Sequence, residues 1–214
     1  MKIDKFVMGA YANNVFVLRS DERKSNKCIV IDTALENADL MAFLTQEELE
    51  PVALLLTHGH ADHLAGVRGL KTKYPDMKIC IHGADAHMLT DAQANLSAVA
   101  DMVITAPEAD VALADGAIID FADITLDVLH TPGHTPGGVC FYSSSAGVVF
   151  TGDTLFAGGI GRTDFEYGNT SLLLESIGKQ LLKLPEATRI YPGHGPETTL
   201  RNEKKYNRFI SREQ

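Results

Sequence analysis

Residues 51–56, Pro-Val-Ala-Leu-Leu-Leu, form an unbroken apolar run. Directly behind it, Thr57-His58-Gly59-His60-Ala61-Asp62-His63-Leu64 packs three histidines and an aspartate into the six positions from His58 to His63. A short run of this kind reads as a strand of a sheet covered on both faces, because neither face carries polar side chains for water. Gly59 and the polar residues after it cannot continue such a strand, so the histidines sit in a loop at its C-terminal end. His58 and His60 are two apart, and in an extended or turning backbone their rings can converge on one ion. Asp62 and His63 lie beyond the turn and point elsewhere, which predicts a second ion. The alternative is a loop that is merely polar. Three histidines and an aspartate in register behind a core strand argue against it.

With 214 residues, the chain is long enough for one large core. Its 45% hydrophobic and 22% charged residues are those of an ordinary globular protein. The formal net charge is −9, and an acidic surface repels phosphate backbones, so no nucleic-acid partner is expected. No stretch approaches the roughly 20 apolar residues of a spanning helix, so no membrane is expected either. The N-terminus lacks the long apolar core of a signal peptide, being interrupted at Asn13 and Asn14, and a cytoplasmic location is expected. Cys28, Cys80 and Cys140 are odd in number and lie in strand-like segments, which predicts reduced core cysteines.

Along the chain, residues 2–20 alternate apolar and polar and predict an opening hairpin with its turn at Asn13-Asn14. Residues 22–26 predict a solvated turn, and 28–32 a buried strand. Asp32-Thr33 then predicts a cap for a helix over 35–47, where Leu35, Leu40, Phe43 and Leu44 form a stripe. After strand 51–56, a helix is expected over about 63–74, ended by Pro75, and a strand over 78–82. Strands alternating with helices imply an α/β layered fold. Residues 84–89 predict a short helix. The alanine-rich stretch 90–109 predicts a lid or active-site insertion. Further strands are expected over 118–121, 124–129, 139–142, 148–150 and 189–191, with helices over 171–184 and 199–210. No linker or repeat divides the chain, so residues 1–214 are expected to form a single domain.

Two ions need more than four ligands. Each later strand end offers one: His130 or His134 after strand 124–129, Asp153 in Thr151-Gly152-Asp153-Thr154, and His194 in Pro192-Gly193-His194-Gly195. Each is weak alone. Together they are strong, because strand ends of layered α/β folds converge on one crevice.

These four motifs, Thr57–His63, Gly133-His134-Thr135-Pro136-Gly137, Thr151–Thr154 and Pro192–Gly195, resemble in order the metal motifs of the metallo-β-lactamase superfamily. The resemblance implies a four-layer αββα sandwich with the site at one edge between two sheets. It implies one metal on His58, His60 and His134, a second on Asp62, His63 and His194, and Asp153 as the bridge, leaving His130 outside. Gly152–Phe156 and Gly158–Phe165 are most similar to the glyoxalase II group, which hydrolyses hydroxyacyl-glutathione thioesters. The chain is expected to match its short members, without the C-terminal helical domain that helps bind glutathione. Gly161–Phe165 is also similar to the iron-dependent persulfide dioxygenases, which gives the alternative function.

The expected cofactors are two divalent ions, Zn in the first place, with Fe or Mn suited to the same imidazole and carboxylate donors. Two such ions outweigh two aspartates and predict a small anionic thioester or ester as substrate. A bound ion lowers the pKa of its water from 15.7 to about 7, supplying hydroxide for attack on the carbonyl. Asp62 is the expected proton acceptor. Arg162 is expected either to bind a substrate carboxylate through its planar fork or to pair with Asp164. Tyr142, Phe156 and Phe165 are expected in the core. A secreted β-lactamase, a nuclease and a non-catalytic binding module fit less well.

Overall fold

Alternation along the strands separates two apolar layers in the first sheet and two in the second. The structure, a computed structural model, describes residues 1–21 and 25–210. The expected turn over 22–26 therefore lies mostly outside the described residues. Strands β1 (Lys2–Met8), β2 (Asn13–Arg19), β3 (Lys27–Ile31), β4 (Glu50–Leu55), β5 (Lys78–His82) and β6 (Val111–Leu113) form one sheet in that order. The pairs β1–β2 and β2–β3 are antiparallel, and the remaining three are parallel. Strands β7 (Ile118–Phe121), β8 (Ile124–His130), β9 (Val139–Ser143) and β10 (Val148–Gly152) run consecutively across a second sheet. A small hairpin of β11 (Leu155–Phe156) and β12 (Gly159–Ile160) follows. Then β13 (Arg189–Pro192) pairs parallel to β10, and β14 (Thr198–Thr199) closes that edge.

In β3, Ile29 and Ile31 face the second sheet while Cys28 and Val30 face outward; in β2, Phe16 and Leu18 face inward, Val15 and Val17 outward. The second sheet mirrors this, with Phe141 and Phe150 turned inward and Cys140 and Val149 outward. The inner layer is thus one apolar sandwich in which the Phe16 ring meets Phe150 and Tyr191 edge-on at 5.1 and 5.6 Å. Helices α1 (Ala38–Gln46), α2 (Ala61–Leu64) and α3 (Val67–Lys73) cover the outer face of the first sheet through Leu40, Leu44, Leu64, Val67 and Leu70. Helix α4 (Thr170–Ser176), its wider-wound continuation Ile177–Leu181, and α5 (Leu200–Tyr206) cover the second through Leu173, Ile177, Leu181 and Leu200. This is the expected αββα sandwich. The three cysteines are free and buried, and burial pushes the Cys28 and Cys80 thiols up to about 12. Among the described residues no helix is long and apolar enough to cross a membrane.

Several local expectations give way to tertiary demands. The first hairpin turns at Gly9–Ala12, where Gly9 and Ala12 have positive φ; Asn13 and Asn14 instead open β2 and are 1% exposed. The helix expected over 63–74 breaks into α2 and α3 at Gly66. There a Cβ would lie 1.6 Å from Asn37 Nδ2, and the amide donates to Thr33 Oγ1 at 3.0 Å. Helix α1 begins at Ala38 rather than 35, because Asp32 and Thr33 are turned toward the His-rich loop and cap nothing. Residues 84–109 hold only two short helical turns, Ala86–Leu89 and Ala98–Ala100. Strands β6, β11, β12 and β14 are too short to leave a periodic signal.

Candidate metal centre

Four strand ends meet at one edge of the sandwich. The β4–α2 loop carries His58 and His60, and α2 turns Asp62 and His63 onto its inner side. The turn after β8 brings His134, the end of β10 brings Asp153, and the end of β13 brings His194. All seven expected ligands converge. The ligand atoms of His58, His60 and His134 lie within 4.8 Å of one another, and so do those of Asp62, His63 and His194. His60 Nδ1 is 2.9 Å from His134 Nε2, and His63 Nε2 is 3.2 Å from His194 Nε2. Asp62 Oδ2 lies 3.6 Å from His63 Nε2 and 3.4 Å from His194 Nε2. Asp153 stands between the groups: Oδ1 is 3.4 Å from His63 Nε2, and Oδ2 is 3.7 Å from His134 Nε2 and 3.6 Å from His194 Nε2. A tetrahedral ion with bonds of about 2.1 Å spaces its ligand atoms by about 3.4 Å, so these separations fit.

The hydrogen bonding fits as well. His58 Nε2 and Asp153 Oδ1 are buried and have no partner in the protein, a costly state for polar atoms unless a ligand completes them. His58 Nδ1 lies 3.1 Å from the Thr57 hydroxyl, and three further rings are oriented from behind. His134 Nδ1 donates to the Arg162 carbonyl at 2.7 Å, His194 Nδ1 to the Tyr11 carbonyl at 2.9 Å, and His63 Nδ1 to Asp32 Oδ2 at 3.0 Å. Each bond fixes a proton on Nδ1 and aims Nε2 at the centre, the nitrogen that would give its lone pair to an ion on losing its proton. Gly193 completes the cradle: a Cβ there would lie 2.4 Å from Asp153 Oδ1 and 2.8 Å from His63 Cε1.

Charge follows the same division. Burial, reinforced by the neighbouring histidines, holds His58 well below its ordinary range and His60 down to about 3, so both are neutral and ready to donate lone pairs. Burial works against ionising Asp62 and Asp153, but the charge and hydrogen bonds of His63 and His194 outweigh it and keep both carboxylates ionised. Burial likewise opposes a proton on His63, yet Asp62, Asp153 and Asp32 around it raise its pKa.

Residues that sequence reasoning missed hold this arrangement. Asp32 Oδ1 accepts the Thr57 amide at 2.8 Å and Oδ2 accepts the Thr57 hydroxyl at 2.8 Å, besides orienting His63. Asn13 Nδ2 donates to Asp62 Oδ2 at 3.0 Å. Asp85, fully buried, ties the loop of His58 and His60 to that of His134. It accepts the Gly59 amide at 3.0 Å, the Thr135 hydroxyl at 2.6 Å and the Gly137 amide at 2.6 Å. An acidic residue at a loop start carries no local signal of such a role. Asp85→Ala leaves three buried donors without an acceptor and is expected to lower the unfolding free energy by about 2–4 kcal/mol, as urea titration would show. An unchanged midpoint would mean that the loops hold each other without it.

Above the ligands opens a cavity of about 600 Å³. Phe156 and Phe165 line it, contrary to the expectation that they are core; Tyr142 does pack in the outer core of the second sheet. Residues 95–104 form one wall, as expected for an active-site insertion. Arg162 lies at the rim, pairs with Asp164 through two 3.0 Å bonds and stacks on Phe165 at 4.3 Å. Of the two roles expected for Arg162, the ion pair is the one present. His130 stays outside the centre: it stacks on His82 at 4.0 Å and donates to the Pro136 carbonyl.

Comparison with known proteins agrees with this architecture. The family model described as metallo-beta-lactamase superfamily matches residues 8–194. A probable metallo-hydrolase of Bacillus subtilis, YqgX, is 36% identical over 99% of this chain and 98% of its own. The hydroxyacylglutathione hydrolase GloC of Haemophilus influenzae is 33% identical over 99% of each chain. The crystal structure of the B3 metallo-beta-lactamase BLEG-1 superposes with a TM-score of 0.93 at 34% identity, over 98% of this chain and 100% of that one. A second, in a di-iron-bound form, gives 0.83 at 35% identity, over 96% and 99%. The fold, the ordered motifs and the convergence of the strand ends have one common reading: the chain belongs to the metallo-β-lactamase superfamily.

Proposed function

We propose that this chain is a binuclear, metal-dependent thioester hydrolase of glyoxalase II type. The observation that carries the proposal is two compact ligand groups under an open cavity, with Asp153 within 3.4–3.7 Å of histidines of both. In this reading His58, His60 and His134 would hold one ion and Asp62, His63 and His194 the other, with Asp153 placed to serve both. Zn is the proposed metal, with Fe or Mn as substitutes, since the donors are imidazole and carboxylate without thiolate. Two bound ions supply a nucleophile at neutral pH and a Lewis acid for the carbonyl. The chain's own part is positioning. Asp62, ionised and fixed by Asn13, would be the nearest acceptor for the proton lost by an attacking water, although its lowered pKa makes it a weak base. The apolar walls exclude bulk water, and Arg162 at the rim is held by Asp164. The likeness to the hydroxyacylglutathione hydrolase GloC of Haemophilus influenzae supports the reaction class. A cytoplasmic location and a single folding unit over residues 1–214 belong to the same proposal.

The test is elemental analysis of the purified protein alongside thiol release from a thioester panel that includes S-lactoylglutathione. Two ions per chain and turnover abolished by chelation are expected. Metal-loaded protein that cleaves no thioester would sink the proposal.

A second reading rests on His58, His63 and Asp153, which form a compact group of two histidines and one carboxylate. That donor set suits a single non-haem iron. A persulfide dioxygenase would carry one iron per chain and consume oxygen with glutathione persulfide. Two ions and no oxygen uptake would exclude it.

A further inference from the structure

The cavity has a polar floor and an apolar wall. The floor is the ligand set. The wall is Leu96, Val99, Met102 and Ile104, joined by Phe156 and Phe165. Nothing in the fold requires the wall to be apolar at its rim, where Val99 is 70% exposed. The wall is also fixed in place. Asn95, fully buried behind it, donates from Nδ2 to the carbonyls of Met88 and Ile104 at 3.0 and 2.9 Å, and its own carbonyl accepts the Ala61 amide at 2.9 Å. The wall is thereby pinned to the first residue of the helix that carries Asp62 and His63.

Charge sharpens the point. Residues 90–109 contain Asp91, Asp101 and Glu108 and no lysine or arginine. Among the described residues lining the cavity, Arg162 is the only lysine or arginine, and both edges of its fork are taken by Asp164. A tripeptide thiol with two carboxylates and an ammonium would leave its charges against the apolar wall, where they lose water and gain no partner.

We propose that this wall selects thioesters whose thiol carries an uncharged, apolar arm, in preference to thioesters of glutathione. The inference rests on the thioester-hydrolase reading. The arm lies along Leu96, Val99 and Met102 while the carbonyl sits at the ligand floor. Full burial of a methylene favours binding about fourfold, so a wall open on one side gives about two- to fourfold for each one added.

The test separates the wall from the chemistry. Alkylthioacetic acids from methyl to hexyl, and S-carboxymethylglutathione, share the same –S–CH₂–COO⁻ head, cannot be hydrolysed and differ only in the arm on sulfur. Calorimetric titration into the metal-loaded chain is expected to give affinity rising about two- to fourfold per methylene. Hexylthioacetic acid should bind at least about tenfold tighter than the glutathione derivative. Val99→Asp and Met102→Glu should flatten the series. A flat series in the unaltered chain, or tighter binding of the glutathione derivative, overturns the inference. In parallel, turnover of S-hexyl thioacetate is compared with that of S-acetylglutathione, and the hexyl ester is expected to have the higher kcat/KM. Equal turnover overturns the inference and leaves the hydrolase standing. No turnover of either, with the methylene dependence of binding retained, upholds the wall and overturns the hydrolase.

Discussion

Asp153→Asn is expected to lower the metal content to one ion per chain or fewer and to reduce thioester turnover by on the order of 10²–10³-fold. Among the described residues this carboxylate alone reaches both halves of the centre, Oδ1 toward His63 and Oδ2 toward His134 and His194. Asparagine has the same shape, so packing against Gly193 is undisturbed. It lacks the negative charge, and one of its two terminal atoms becomes a donor pointed at bare ring nitrogens that should face an ion. Removing the charge loses the Asp153–His63 ion pair at 3.4 Å but also relieves the burial of a carboxylate, and these oppose each other, so the unfolding free energy of the metal-free chain should change little. That combination, lost metal with retained fold, is read by elemental analysis and urea unfolding of the same preparation. Two ions and full turnover in the variant would mean that the two groups bind independently.

The convergence of the candidate ligands was legible in the sequence, with His130 and His134 both open until the family resemblance selected His134. His58, His60, Asp62 and His63 crowd behind an apolar strand, and His134, Asp153 and His194 each follow a predicted strand end. The layered fold then follows from where strand ends must meet. What supports the ligands was not legible. Asp32 reads locally as a helix cap and Asn13-Asn14 as a turn, because short polar side chains are the usual residues of both. Each is overruled by a partner at least 25 positions away: Thr57 and His63 for Asp32, Asp62 for Asn13, the Pro192 carbonyl for Asn14. The carbonyls of Tyr11 and Arg162 carry no residue signature at all, since any side chain could stand over a backbone oxygen. The stretch 90–109 was legible as a lid or insertion but not as individual contacts: Leu96, Val99 and Met102 line a cavity while Ile104, Ala106 and Ala109 pack on the outer core of the first sheet, so together they follow neither helical nor strand periodicity.

Asp32→Asn gives the sharpest test of that hidden support. The carboxylate accepts three hydrogen bonds, from the Thr57 amide, the Thr57 hydroxyl and His63 Nδ1. Asparagine keeps the shape and, through its carbonyl oxygen, can keep the Thr57 amide. Its amide nitrogen then occupies the place of Oδ2 and donates. The Thr57 hydroxyl accommodates this by accepting, but His63 cannot do so without exchanging its proton. Nδ1 must become the acceptor, and the hydrogen moves to Nε2. That is the nitrogen 3.2 Å from His194 Nε2 and 3.4 Å from Asp153 Oδ1, the one that must be bare to hold an ion. Asp32→Asn is therefore expected to weaken the ion of Asp62, His63 and His194 by about 10–100-fold and to leave the ion of His58, His60 and His134 close to its original affinity. Asp32→Ala strands the same donors in a buried site and is expected to cost about 3–5 kcal/mol of stability in addition. Competition against a chelating dye resolves the two affinities, and urea unfolding separates the variants. If asparagine weakens both ions equally, or neither, then Asp32 supports the loop as a whole and does not set the protonation state of His63.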